Sequence, residues 1–250
     1  MLKLLEIELA LPEGERVHSS MGSVLHGALM DLLDTRVAER LHMDGVRPYS
    51  QYVFFDKDKG FPIWRIGTLT EDVWSMIVLP LLEQETLFLR QKGYSIYLIS
   101  KSLIYESSYQ EIADDIFLME TACRQAFLRF LTATSFKRNG QYVIFPETFL
   151  IIQSLLHRWN TFSHKMKLDD ENLANRLASY CKISNYRLHA QTFSLEHQNI
   201  QGFAGNVQLR FQGTDMTNRL LGLLIRFASF AGVGIKTALG MGAVDLSDFQ

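Results

Sequence analysis

The chain has 250 residues, 47% hydrophobic and 21% charged, with a formal net charge of −2, which is the composition of a globular protein with a buried core. No run approaches the roughly 18 apolar residues of a membrane span, and this excludes a membrane-spanning protein. The N-terminal stretch Met1–Glu8 carries acids where a secretory signal needs an apolar run, so we expect a cytoplasmic protein.

The charge is divided unevenly between the two halves of the chain. Residues 1–123 hold 11 Lys and Arg against 19 Asp and Glu, whereas residues 124–250 hold 14 against 8. A basic second half favours contact with a polyanion, although solvated surface cations explain part of the surplus.

The first half reads as a strand, a helix, two strands, a helix and a strand. Ser19 or Ser20 is placed to cap the first helix, which is expected to end near His42, and Thr70 begins the second. The predicted strands are residues 2–9, 51–55, 63–69 and 94–105, with the polar turn 56–60 between the second and third. This order predicts a ferredoxin-like domain.

The second half repeats the pattern. Extended segments are expected at 122–133, 141–145, 183–195, 206–212 and from Ala243, with helices after Pro146, after Asp169–Glu171 and over 217–230. The sequence therefore predicts an α+β protein of two tandem ferredoxin-like domains that pack directly, residues 1–115 and 116–250, with the boundary near 110–122.

A glycine-rich segment, Ala231–Val244, stands near the C-terminus. Its two Gly-x-Gly pairs bracket Lys236 and Thr237, and amide donors beside a lysine suit a phosphate. A dinucleotide fold would place such glycines after the first strand, and the Walker spacing is missing, so both nucleotide sites are disfavoured. The alternative is a glycine turn that joins a helix to the last strand.

Five separated segments carry a family resemblance. They are Leu25–Leu29, Leu41–His42 with Arg47–Ser50, Phe145–Glu147, Ser154–Asn160 and Gly202–Val207. Together with the C-terminal glycine loop, they resemble the repeat-associated RNA-binding superfamily, and within it the CRISPR-associated endoribonuclease that cuts precursor transcripts in each repeat.

The resemblance implies metal-independent cleavage, in which the ribose 2′-hydroxyl attacks the adjacent phosphorus and leaves a 2′,3′-cyclic phosphate and a 5′-hydroxyl. The family's catalytic histidine maps onto His42, and an imidazole suits proton transfer near neutral pH. Arg47 takes the place of the family's lysine and would stabilise charge on the phosphorane. The sequence alone leaves open a polar helix end at His42.

The resemblance leaves open which residue supplies the second acid or base. Met30 occupies the position where many members of the family carry a tyrosine. His26 lies one turn earlier and could present a second imidazole on the same face, or could simply be a structural histidine of the helix.

The resemblance further implies RNA contacts and partners. The RNA-binding candidates are Gly232, Gly234, Lys236, Thr237, Gly240, Gly242, Lys137 and Arg138. Amides near Gly234 and Gly240 would position the RNA backbone without reading bases. Repeat RNA is the expected partner, and effector-complex subunits and a homodimer are left open. The alternative function is a non-catalytic subunit that only holds guide RNA.

No metal or other cofactor is expected. Asp56–Gly60 lacks the later ligands of a calcium loop and suits a hairpin turn. Cys123 and Cys181 form no CxxC pair, so we expect buried free thiols.

Overall fold

The computed structural model describes residues 1–34, 36–37, 45–195 and 198–246. In the first half, β1 to β5 are Leu2–Ala10, Tyr49–Asp56, Phe61–Thr68, Thr86–Leu89 and Tyr94–Ser107, and α1 is Met21–Asp31. The helix α2 runs from Glu71–Val73 through a π-helical turn, Trp74–Val78, to Leu79–Leu82. The Thr70 hydroxyl accepts the Val73 amide and caps α2, as predicted.

The first sheet has the strand order β2-β3-β1-β5-β4, with every pair antiparallel. Without β4, this is the strand arrangement of a ferredoxin-like domain, which confirms the predicted fold. Alternate residues of β1 (Leu5, Ile7 and Leu9) point into a core shared with α1 and α2. The strand β4 is an addition that the sequence did not indicate, and it extends one edge of the sheet.

In the second half, α3 is Tyr109–Phe117, β6 is Gln125–Thr134, and Phe136–Arg138 and Gln141–Val143 form the hairpin β7–β8. The remaining elements are α4 Thr148–Phe162, α5 Leu173–Ser179, β9 Cys181–Ser194, β10 Asn199–Phe211, α6 Asp215–Ala231 and β11 Val244–Asp245. The second sheet, β11-β6-β10-β9, repeats the ferredoxin-like order.

The two halves share one hydrophobic core. The second face of β1 places Leu2 and Leu4 in the same buried cluster as α4 and α6. The end of α6 lies directly on the first sheet, where the Ser50 hydroxyl donates to the Phe230 carbonyl at 2.6 Å. A Cβ on Gly67 would lie 2.3 Å from that carbonyl oxygen, so the close approach requires glycine.

Several boundaries differ from the sequence prediction. The helix α1 ends at Asp31, and the Asp34 carboxylate accepts the Arg36 amide at 2.9 Å, which begins a new turn at Arg36 and Val37. Ser20 is the N-cap residue of α1, but its hydroxyl accepts the Ser194 amide of β9 instead of an amide of its own helix.

The chain is also helical where the domain boundary was predicted. Ser108 and Glu111 form a capping box that starts α3, and the signature Ser-x-x-Glu was present in the sequence. Tyr109 of α3 packs edge-on against Trp159 of α4 at a centroid distance of 5.0 Å. The strand β10 begins at Asn199 rather than near residue 206, because its glycines permit close strand pairing and do not break it.

The segment Asp56–Gly60 is the turn of the β2–β3 hairpin. The Asp56 carboxylate accepts the amides of Asp58 and Lys59 at 2.9 and 3.1 Å, and Gly60 has a φ of 77°. Both cysteines, Cys123 and Cys181, are buried and are not joined in a disulfide, as predicted. The Cys123 thiol donates to the Gln125 carbonyl at 2.7 Å.

Candidate functional site

A cleft of about 800 Å³ opens where the two halves of the chain meet. The first half contributes Gly45 and Val46, which follow His42 by three and four positions in the sequence. The second half contributes the β7–β8 hairpin, one face of α4 and the glycine loop, residues 232–242. His42 itself lies outside the described residues.

The glycine loop has a backbone that only glycine allows at its turning points. Gly234 and Gly242 have φ values of 84° and 66°. A Cβ would lie 2.4 Å from the Ser135 carbonyl oxygen at Gly234 and 1.9 Å from the Val233 carbonyl oxygen at Gly242. The loop is therefore held tightly against the end of β6 and against itself.

The amides expected to contact RNA are already used within the protein. The Gly234 amide donates to the Ser154 hydroxyl of α4 at 2.9 Å, and the Gly240 amide donates to the Thr237 carbonyl at 3.3 Å. Tight folding of the loop engages these two amides, and the contact of neighbouring amides with the RNA backbone stays a prediction. The loop acts as a scaffold that fixes the residues between its glycine pairs.

Lys236 is the cation that this scaffold presents. It has a left-handed backbone, with φ at 54°, and it lines the cleft. Partial burial lowers the pKa of the Lys236 ammonium group, and the nearby positive charges of Arg47 and Lys137 lower it further. Two predicted residues, one from each half of the chain, thus lie close enough to Lys236 for their charges to act on it.

Two other predicted RNA-binding residues are placed differently. Arg138 makes a two-armed ion pair with Glu147, at 2.6 and 3.0 Å, so its charge is already compensated. Thr237 is 1% exposed and packs beneath Gly232, which removes its hydroxyl from the surface. Neither side chain is offered to the cleft in the way that Lys137 and Lys236 are.

His26 is a core residue. It is 7% exposed, its Nδ1 lies 2.7 Å from the Tyr49 hydroxyl, and the two rings are stacked at a centroid distance of 6.2 Å. Burial raises the pKa of the Tyr49 hydroxyl, which keeps the phenol protonated. The geometry favours the structural alternative for His26 over an imidazole open to substrate. Met30 is half-buried against the same core.

A buried glutamine joins the first half to the glycine loop. The Gln51 side chain donates to the Gly22 carbonyl of α1 at 2.6 Å and to the Ala238 carbonyl at 3.0 Å. Its oxygen accepts the Trp64 indole N–H at 2.6 Å, which fixes the amide orientation. Gln51 was read only as a strand residue, because a polar residue in a strand does not reveal its partners.

The helix α4 supplies residues that sequence reasoning passed over. His157 is exposed and Arg158 is buried, and both line the cleft. Arg158 falls on the apolar stripe of the helix with Ile151 and Leu155, at spacings of four and three. A charged residue on a buried stripe was the available signal, but Ser154–Asn160 was used only for its family resemblance.

The described ranges contain no group of three or more His, Cys, Asp or Glu that could hold a metal ion. In the same part of the chain, no helix combines the length and the hydropathy needed to cross a bilayer.

Comparisons with known proteins converge on one family. The family model of the CRISPR-associated endoribonuclease Cas6 matches residues 128–244. A Streptococcus thermophilus protein of that description is 30% identical over 227 residues, which cover 89% of this chain and 90% of that protein. One from Mycobacterium tuberculosis is 30% identical over 244 residues, covering 96% of this chain and 75% of the relative.

Solved structures of Cas6 proteins match this chain over nearly its whole length. One Cas6 product complex is 25% identical, with a TM-score of 0.80 and coverage of 99% of this chain and 100% of that one. A second Cas6 product complex is also 25% identical, with a TM-score of 0.81 and coverage of 99% of both chains.

Proposed function

Because the chain belongs to the Cas6 family of CRISPR-associated endoribonucleases, we propose that it binds a repeat RNA across the described cleft and cleaves it without a metal ion. The observation that carries the proposal is a cleft between the two halves of the chain that Lys137 and Lys236 line, with Arg47 near enough for its charge to lower the pKa of Lys236. A concentration of positively charged side chains in and beside a cleft suits a polyanion.

The proposed reaction is an internal transfer at phosphorus. The ribose 2′-oxygen forms a bond to the adjacent phosphorus, the bond from phosphorus to the 5′-oxygen breaks, and the products are a 2′,3′-cyclic phosphate and a 5′-hydroxyl. One proton leaves the 2′-hydroxyl and another reaches the departing 5′-oxygen. The nucleophile belongs to the substrate, so the protein needs to supply only proton transfer, charge stabilisation and alignment.

We assign one proton transfer to His42, by its match to the family's catalytic histidine. Arg47 would stabilise the charge that develops on the phosphorane oxygens, since a planar guanidinium donates several hydrogen bonds to phosphate oxygens. For His26 we propose a positioning role: it holds Tyr49 at the start of β2, two residues after Arg47, and so fixes the chain that carries the cation.

The His42→Ala variant tests the catalytic assignment. Loss of an acid or base lowers the rate by about 10² to 10⁴, while the dissociation constant for repeat RNA stays nearly unchanged. The measurement is single-turnover cleavage of repeat RNA, with the chemical identity of both new ends determined. A substrate carrying 2′-deoxyribose only at the cut position should bind and stay intact.

Two results would contradict the proposal. Wild-type turnover by His42→Ala would remove this residue from the reaction, and cleavage of the 2′-deoxy substrate would require another nucleophile. Binding of repeat RNA by the wild type without any cleavage would identify a protein that only holds its RNA.

A further inference from the structure

Arg158 of α4 is a buried cation with few partners. Its residue is 7% exposed, on a helix face that otherwise buries Ile151, Leu155 and Trp159. Its Nη2 donates only a long hydrogen bond, 3.5 Å, to the Gly234 carbonyl. Its Nη1 is buried without a hydrogen-bond partner within the described part of the chain.

Buried charged side chains in proteins are usually paired with an opposite charge and fully hydrogen-bonded, and Arg158 departs from this rule within the described residues. The largely buried Arg65 is paired with Glu6, and the more exposed Arg138 and Arg176 are paired with Glu147 and Asp170. For Arg158, burial lowers the pKa of the guanidinium to about 10, with no carboxylate acting in the opposite direction. The guanidinium is still charged at neutral pH, so the RNA-free protein holds below its surface a positive charge that pairs with no carboxylate of the described residues.

The guanidinium is also held in place. Ser154, one turn earlier on α4, accepts the Gly234 amide at 2.9 Å, so the helix and the glycine loop are joined at Ser154 and at Arg158 itself. Arg158 lines the cleft together with Lys137 and Lys236. A guanidinium at the wall of a basic cleft suits a phosphodiester, whose oxygens accept charge-assisted hydrogen bonds from it.

We propose that Arg158 is the recessed binding site for one phosphate of the RNA strand, and that this phosphate supplies the missing counter-charge. The inference rests on the proposed function, because it needs an RNA in the cleft. Lys137 and Lys236 bind the strand at the mouth of the cleft. Arg158 binds one phosphate deeper in the cleft wall, and this contact sets the register of the strand along the cleft.

The test is Arg158→Met, which keeps the volume and removes the charge. Two effects of opposite sign are expected. Affinity for repeat RNA falls about 10- to 100-fold, and the slope of log K against log salt becomes shallower by about 0.7 to 0.9. The melting temperature of the RNA-free protein stays equal or rises, because an uncompensated buried charge is gone.

Binding is measured on RNA with 2′-deoxyribose at the cut position, so that cleavage does not disturb the equilibrium. Arg176→Met is the matched control, an exposed arginine paired with Asp170, and it should leave both the affinity and the salt slope as in the wild type. Arg158→Gln is a second uncharged variant and should repeat the result of Arg158→Met.

An unchanged salt slope in a folded uncharged variant would overturn the proposal. Failure of both variants to fold would also overturn it, since Arg158 would then be needed by the RNA-free protein. These outcomes are separable from failure of the proposed function, which would appear as a wild type that binds repeat RNA normally and does not cut it.

Discussion

Lys236 and Arg138 carry the same charge and were predicted for the same task, yet they face different surroundings. Lys236 lines the cleft, where the charges of Arg47 and Lys137 lower its pKa, whereas Arg138 is ion-paired with Glu147. Repulsion from like charges favours an anionic ligand at Lys236, whereas the existing ion pair disfavours one at Arg138.

We expect Lys236→Met to weaken binding of repeat RNA about 3- to 10-fold and to make the salt slope shallower by about 0.7 to 0.9. Arg138→Gln is the comparison and should change both quantities little. Because the pKa of Lys236 is lowered, its contribution to binding should be lost at a lower pH than for an ordinary lysine as the pH rises. Equal losses in the two variants would contradict the assignment.

At the scale of elements, α1 is fixed directly to the glycine loop. A Cβ on Gly22 would lie 2.7 Å from the Leu239 carbonyl oxygen and 2.9 Å from Gly240 Cα. Both neighbours are backbone atoms, so the loop itself must move to admit a methyl group. This contact keeps α1 packed directly against the loop that presents Lys236.

Gly22→Ala should lower the free energy of unfolding by about 1 to 3 kcal/mol and reduce cleavage, because the loop is displaced. Gly27→Ala in the same helix is the control, since nothing lies within 4 Å of its added Cβ. That substitution should stabilise the protein by about 0.5 to 1 kcal/mol through helix propensity. Chemical denaturation and cleavage rates measure both variants, and destabilisation by Gly27→Ala would contradict this account.

At the scale of the whole molecule, an acidic first half and a basic second half are joined through one core. Leu2 and Leu4 pack against helices of the second half, so the cleft has rigid walls. Arg47, from the acidic half, lies near enough to Lys236 to lower its pKa, which places a cation beside the cleft where the overall charge of that half would not suggest one. The protein's own cations can thus balance the phosphates of the bound strand.

Cleavage should therefore persist at an unchanged rate in excess EDTA, because the substrate supplies the nucleophile and the protein supplies the positive charge. The measurement is single-turnover cleavage with and without the chelator at constant ionic strength. Loss of activity that Mg²⁺ or Mn²⁺ restores would contradict the metal-independent reaction.

The sequence by itself determined the repeated order of strands and helices, the hairpin at Asp56–Gly60 and the family. These properties follow from local patterns: period two in the strands, capping at Thr70 and glycines at positions of positive φ. The capping box at Ser108 was equally local and could have been read. The positions of the catalytic histidine and the domain boundary stay predictions.

Only the tertiary structure decided which side chains meet. His26 became a core residue because Tyr49 lies opposite it, and Arg158 became a wall of the cleft because the glycine loop folds back onto α4. Both outcomes depend on contacts between residues far apart in the chain, which periodicity does not encode. Burial and pairing of charge are set by those contacts, and with them the chemistry that each residue type can perform.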